Sequence, residues 1–392
     1  MKLVQFGAGN IGRSFIGQLF SKAGWEVVFI DIDERIIEEL NRRRTYRVEI
    51  RDREPQTIWV ENVRGVQGRD VERVSEEISG ADLVATAVGQ KALPHIMGSI
   101  AAGLVKRARR NPGKPHDIII CENMREGARF FRQALEPLMP PDVKLDEVAG
   151  LVETSIGKMV PIMSEQDRAR DPLLVYAEAY NTLIVDRRGF LGEVPDVPGL
   201  SAKEHIEAYV DRKLFIHNMS HAVLGYTSFV FRSGFRFVWE AAADPDLLDV
   251  TRQAMVESAE ALLRAYPEEF DGSSLDAHIE DLLQRFKNRA LGDTIFRVGR
   301  DLYRKLGPDD RLAGPIRLCL SHGIVAKRIA LALACALRFK GVDETGEMYG
   351  NDRIFHEREM SRGVEHVLHL ICRLTDERII SLIKGYHEAL EG

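Results

Sequence analysis

Cysteine is scarce in this chain of 392 residues, and the four present, Cys121, Cys319, Cys335 and Cys372, stand far apart with no C-x-x-C pair. That spacing excludes a disulfide framework and a zinc ribbon and predicts a reduced, cytoplasmic protein. Long apolar runs are missing too. The most apolar stretch, residues 329–337, follows Lys327 and Arg328; it is too short to span a bilayer, reads as a buried core helix, and leaves no membrane partner expected. No basic segment plus apolar run opens the sequence, so no signal peptide is expected. Basic residues are not in excess: 54 Lys+Arg against 60 Asp+Glu give a net charge of −6, which argues against nucleic acid as a partner. Internal repeats and low-complexity segments are absent. What is present, 45% hydrophobic and 29% charged residues, is the balance of a folded globular protein and rules out a disordered or collagen-like chain.

Length alone suggests two or three domains. The first third alternates short apolar runs, Lys2–Phe6, 25–30, 81–88 and 117–121, with helical patterns. This alternation predicts a parallel sheet covered on both faces. Residues 45–66 fit less well and read as an antiparallel excursion. Glycine and proline cluster at 189–199 (Gly189, Gly192, Pro195, Pro198, Gly199), breaker chemistry suited to a domain crossing. Ser201 and Glu204 have capping-box spacing ahead of a long helical pattern. The expectation is therefore two domains, 1–190 and 191–392, the second all-helical.

The strongest local motif is Gly7-Ala8-Gly9-Asn10-Ile11-Gly12, which follows the Phe6 strand and opens a helix. A second strand ends in Asp31, 19 residues after Gly12. Gly7 permits a tight turn, Gly9 lets the backbone approach a pyrophosphate, and Gly12 allows close packing, while the helix N-terminus favours phosphate charge. Asp31 would accept hydrogen bonds from ribose hydroxyls and repel a 2′-phosphate, so NAD is expected over NADP; Arg35 is the only nearby hint of NADP tolerance. The turn Thr86-Ala87-Val88-Gly89 and the segment Cys121-Glu122-Asn123 leave strand ends where a doubly wound sheet binds ligands. Val88 and Gly89 are thus candidates for the cofactor and Asn123 for a substrate oxygen. The fold class is α/β, a Rossmann-type doubly wound, mostly parallel sheet, followed by the all-α domain.

In the second half, Lys213, Asn218 and His221 punctuate an otherwise apolar helical pattern. At 100° per residue His221 lies about 80° and Asn218 about 140° from Lys213, so the three share one broad face. Polar groups at such positions are costly unless they line a cavity. Desolvation would lower the lysine pKa towards neutrality, as a general base requires; a lysine snorkelling from a partly exposed helix is the competing reading. His217 and His221 have i, i+4 spacing, but the glutamate of H-E-x-x-H and a third ligand are missing, so no metal is expected.

The spacing K-x-x-x-x-N-x-x-H, with FGAGNIG at 6–12, TAVG at 86–89, CEN at 121–123, Val160-Pro161 and RKLF at 212–215, resembles the polyol-specific long-chain dehydrogenases over nearly the whole chain. The resemblance implies a metal-independent, NAD-linked hydride transfer. Lys213 would be the acid/base, Asn218 and Asn123 the oxyanion-stabilising pair, and His221 the group that orients substrate. Two departures concern the substrate: Gly157-Lys158 replaces an Asp-Arg pair, and Val210 replaces a glutamate before the lysine. Arg297, Arg300 and Arg304, with Lys305 beside them, form a basic stripe that could grip a phosphate. The resemblance places Arg297 and Lys305 at the substrate, with Lys158 a third candidate. The expected reaction interconverts fructose 6-phosphate and mannitol 1-phosphate in a monomer or small homo-oligomer. A free polyol or hexuronate is the alternative substrate, and a silent NAD-binding regulator the alternative of another class.

Overall fold

The computed structural model describes residues 1–52 and 54–391. It divides into two compact units, Met1–Val210 and Asp211–Gly392.

The first unit contains strands β1 (Lys2–Phe6), β2 (Glu26–Asp31), β3 (Thr45–Ile50), β4 (Gln56–Glu61), β5 (Val63–Gln67) and β6 (Leu83–Thr86). Further along come β7 (His116–Ile120), β8 (Ala149–Ser155), β9 (Val175–Ala177), β10 (Leu183–Asp186) and β11 (Leu200–Lys203). Eight of them make one sheet in the order β11-β10-β8-β7-β6-β1-β2-β5. Pairing is parallel from β5 across to β8, β10 joins antiparallel to β8, and β11 runs parallel to β10. The apolar runs are continuous because both faces are covered. Leu3, Val27, Phe29, Leu83 and Ala85 enter one core, and the alternate residues Val4, Phe6, Val28, Ile30 and Val84 enter the other. This is the doubly wound arrangement expected from the alternating pattern.

The structure corrects two expectations here. The antiparallel excursion is real but ends at Glu61: β3 and β4 form a hairpin joined by β9 in a separate three-stranded sheet, whereas β5 returns to the main sheet beside β2. The 189–199 breaker segment stays within the first unit. It links β10 to β11, and the buried carboxylate of Asp117 receives the amides of Leu191 at 2.9 Å and Gly192 at 3.1 Å. Ser201 therefore lies in a strand and caps no helix; the next helix opens at Ile206. The first unit accordingly runs past residue 190 to Val210.

Among the described residues the second unit is helical, apart from two isolated bridges, Phe237 with Thr294 and Val342 with Met348. Its buried centre is the helix Met219–Phe231, whose Ala222, Val223, Leu224 and Tyr226 are fully enclosed. The helices Pro245–Ala265, Lys327–Leu337 and Ile295–Gly299 pack around it. The apolar stretch at 329–337 is thus a core helix, and among the described residues no helix is long and apolar enough to cross a membrane.

Candidate active site

In the first unit the glycine loop takes its shape from close contacts. Gly7 has φ +91°, which L side chains rarely adopt, and its amide donates to the Ile30 carbonyl at 2.8 Å. A Cβ on Gly12 would stand 1.9 Å from the Gly7 carbonyl oxygen, so the third glycine is needed for the loop to close on itself. A Cβ on Gly9 would meet nothing within 4 Å. Asp31 clamps this loop, accepting from Ala8 N at 2.7 Å and from Asp33 N at 3.0 Å. A carboxylate offers about four lone-pair positions, so Asp31 keeps acceptor capacity for ribose hydroxyls. An open face at Gly9, helix N–H groups beside Asn10 and Ile11, and the acid at the end of β2 fit a dinucleotide. The side chain of Phe6, just before the loop, is buried in the core, which leaves only its backbone to face a cofactor. Arg35 donates to the Ala169 carbonyl at 3.2 Å.

The Thr86–Gly89 turn is held by a residue that sequence reasoning passed over. Glu122 is buried, and its two carboxylate oxygens receive the amides of Val88 and Gly89, each at 2.9 Å. Burial pushes its carboxyl above the usual range, and the two amides pull the other way. With those amides occupied, any contact of Val88 and Gly89 with a cofactor falls to side chain and carbonyl. Asn123 follows, its carbonyl accepting from Gln90 Nε2 at 2.6 Å. Lys158, expected near a phosphate, is a buried first-unit residue whose ammonium donates to Asn181 Oδ1 at 2.8 Å and lies 5.1 Å from the Phe15 ring centroid.

In the second unit, Lys213–Asn218 forms a π-helical turn running straight into Met219–Phe231, with Met219 N–H bonded to the Leu214 carbonyl five residues back. Extra-residue turns of this kind concentrate at functional positions. The turn changes the helical wheel. Residues i and i+5 follow one another along the axis, so Lys213 and Asn218 are closer in angle than the 140° of an ideal α-helix. Lys213 is half-buried; desolvation first, then the Arg311 charge, brings its amine down to about 8, against a smaller opposing effect from Asp310.

His221 stacks on Phe286, with ring centroids 5.1 Å apart and planes at 18°. Its Nε2 lies 3.3 Å from Oδ2 of the buried Asp293, while Asp293 Oδ1 takes the guanidinium of Arg297. Burial, with Arg297, Arg311 and Lys305 adding positive charge, lowers the imidazole to about 3, so His221 is neutral. His217 is buried edge-on to the same Phe286 ring. Among the described residues no three His, Cys, Asp or Glu side chains are grouped as a metal site.

The basic stripe is not one helix face. The helix Ile295–Gly299 stops, Asp301 takes a left-handed φ of +76°, and a new short helix, Leu302–Lys305, begins. The corner sends Arg300 towards the Phe296 and Tyr349 rings and Arg304 onto Asp301 and Asp310. It turns Lys305 inward, where Nζ donates to the Val298 carbonyl at 2.5 Å. Desolvation and the neighbouring arginines lower that amine to about 6, so the fixed positive charge of the pair belongs to Arg297. Tyr226, on the central helix, donates to the Gly299 carbonyl at 2.8 Å and ties this segment to the helix that carries His221.

Residues 1–199 match the family described as mannitol dehydrogenase Rossmann domain, and residues 205–376 the one described as mannitol dehydrogenase C-terminal domain. The chain belongs to the mannitol dehydrogenase family. It is 38% identical over 341 residues to the mannitol-1-phosphate 5-dehydrogenase of Brevibacillus brevis (strain 47), covering 86% of each chain. To the mannitol-1-phosphate 5-dehydrogenase of Halalkalibacterium halodurans it is 34% identical over 371 residues, covering 94% of this chain and 95% of that one. Among solved structures, the mannitol 2-dehydrogenase of Pseudomonas fluorescens, in a ternary complex with NAD and D-mannitol, superposes with a TM-score of 0.71 at 17% identity, covering 100% of this chain and 92% of the other. A substrate-free D-sorbitol dehydrogenase gives 0.81, also at 17% identity, over 99% and 93% of the two chains. At that identity the two structures show the fold alone.

For a mannitol dehydrogenase family member, the polar groups that sequence reasoning missed are the buried acids. Glu122 and Asp352 bind groups distant in sequence, and Asp293 joins a neighbour four residues on to the distant His221, so local spacing does not reveal what they do. Asp352 is 1% exposed and accepts from Asp301 N at 3.0 Å and Leu302 N at 2.7 Å, which holds the left-handed corner. Asp352→Ala leaves two amides without that carboxylate and the strained Asp301 unsupported. We expect a loss of about 2–3 kcal/mol in chemical denaturation, and an unchanged denaturation midpoint would remove the corner's dependence on Asp352.

Proposed function

We propose that this enzyme interconverts D-mannitol 1-phosphate and D-fructose 6-phosphate with NAD(H), using Lys213 as acid/base and no metal. The observation that carries the reading is the grouping in the second unit: a lysine lowered to about 8 by burial at the start of a π-helical turn, and in the helix that continues it a neutral histidine facing a carboxylate that also holds an arginine. The 34% and 38% identity to two mannitol-1-phosphate 5-dehydrogenases supports the phosphorylated substrate. When bound, the nicotinamide supplies or takes the hydride at the carbinol carbon. Lys213 gives a proton to the oxygen in reduction and takes it back in oxidation. The Asn218 amide stabilises the developing alkoxide, a role that the family resemblance also gives Asn123. His221 presents Nδ1 to a substrate hydroxyl, and Arg297 with Lys305 meets the phosphate.

An NADH absorbance assay across fructose 6-phosphate, fructose and the hexuronates tests the substrate. A site built to hydrogen-bond the phosphate should favour fructose 6-phosphate by about 10²–10⁴-fold in kcat/KM. Equal or better reduction of fructose or a hexuronate would overturn the phosphorylated assignment. Activity retained after prolonged chelation checks metal independence. The reading places Asp31 against NADPH, so NADH titrations should show the tighter binding.

A further inference from the structure

Asp293 stands outside the set of groups that meet substrate, yet it touches two of them. It is 5% exposed, lies on the loop after the short turn Arg289–Leu291, and is fixed in place by its own backbone: its carbonyl accepts from Val238 N at 2.9 Å. One carboxylate oxygen faces His221 Nε2 at 3.3 Å and the other receives Arg297. A carboxylate accepts and does not donate, so at 3.3 Å it favours the hydrogen on the imidazole nitrogen that faces it. His221 is neutral, which leaves Nδ1 bare as an acceptor. Stacking on Phe286 prevents the ring from tilting away. On the other oxygen, Arg297 is anchored at Nη2, which leaves the rest of its donor fork to turn outward.

We infer that Asp293 is a positioning residue: it fixes the Nε2–H tautomer of His221 and aims Arg297, so one carboxylate sets the hydroxyl grip and the phosphate grip together. The inference rests on the reading that His221 and Arg297 hold a sugar phosphate, but the tautomer can be observed without any substrate. Because both groups share one carboxylate, removing either changes the charge that the other meets. Substitutions at His221 and Arg297 should therefore be coupled through Asp293 and independent once it is gone.

The full-length enzyme, labelled with ¹⁵N-histidine, gives the direct measurement. Comparison with His221→Gln assigns the His221 ring nitrogens, which should show hydrogen on Nε2 and a bare Nδ1. In Asp293→Ala this pattern should shift to a mixture of tautomers. The KM for fructose 6-phosphate should rise roughly 10–100-fold, the range for partners that orient metal-binding histidines, with the KM for NADH unchanged. Asp293→Asn keeps the shape and one acceptor oxygen, so it should lose only part of this; it also serves if the alanine variant does not fold. An unshifted His221 pattern in either folded variant overturns the inference. So does additivity of the His221→Gln and Arg297→Ala effects on KM in the native background. If the wild type shows no activity on fructose 6-phosphate while the tautomer still shifts, the substrate reading has failed and the positioning role stands.

Discussion

Replacing Lys213 by Met should abolish turnover and, at neutral pH, make the protein more stable. Both effects have one cause. The amine is held near 8 rather than 10.5 because desolvation disfavours its charged form. Below pH 8 the lysine is charged in both the folded and unfolded states, and the folded state carries the full desolvation cost. Between 8 and 10.5 the folded state releases its proton first, so wild-type stability rises with pH across that window and the cost is gone above it. At about 1.4 kcal/mol per pKa unit, the cost at pH 7 is on the order of 3 kcal/mol. Methionine preserves the apolar stem and removes the charge, so Lys213→Met should gain up to that amount at pH 7 and little above pH 10. Turnover should fall by about 10²–10⁴-fold or more, the usual range for a general acid/base. Denaturation at two pH values, with turnover measured beside it, gives the answer. A variant that stays active, or one less stable at both pH values, would sink the assignment. In the wild type, polyol oxidation should weaken as pH falls through 8, because the base is then protonated.

Gly12→Ala and Gly9→Ala should separate folding from cofactor binding. At Gly12 a methyl group would collide with the Gly7 carbonyl, whose own position is fixed by the Ile30 contact and the φ of +91°. Backbone must move, so a loss of roughly 1–3 kcal/mol is expected together with loss of NADH affinity. At Gly9 the methyl group would point into open space, so the fold should be untouched. If a pyrophosphate lies against that backbone, Gly9→Ala should still weaken NADH binding tenfold or more. Fluorescence titration with NADH and thermal unfolding separate the cases. Normal NADH affinity in Gly9→Ala would place the cofactor elsewhere.

These contrasts also mark how far the sequence could be read. β1, the glycine loop, β2 and Asp31 follow one another within thirty-one residues, and their signals are local, so strand, turn and acid were all legible. The spacing of Lys213, Asn218 and His221 is equally local, within nine residues. The stripe from Arg297 to Lys305 misled because helical spacing assumes a continuous helix. The break at Asp301 depends on Asp352, a residue distant in sequence that supplies the compensating hydrogen bonds. Ser201 and Glu204 have capping spacing, yet β10 offered Leu200–Lys203 a parallel partner, and sheet pairing won. Asp293 has i, i+4 spacing to Arg297, but its contact with His221 is made only after the chain has folded, so the pairing of the two was not legible.

The π-helical turn at Lys213–Asn218 has a consequence for the helix's history and its register. A ring closed five residues back holds one residue more than an α-helical ring, as if one had been inserted between the lysine and the rest of the signature. Deleting a single residue among Leu214, Phe215, Ile216 and His217 could restore an unbroken α-helix with better regular bonding. Lys213 and Asn218 would then stand at i, i+4, about 40° apart on an α-helix, close to the angle the five-residue turn already gives them. The deletion would therefore keep all three signature residues on one face and remove only the extra residue held between them. Here a locally imperfect helix carries one more residue between a proton donor and its companions without taking them out of line.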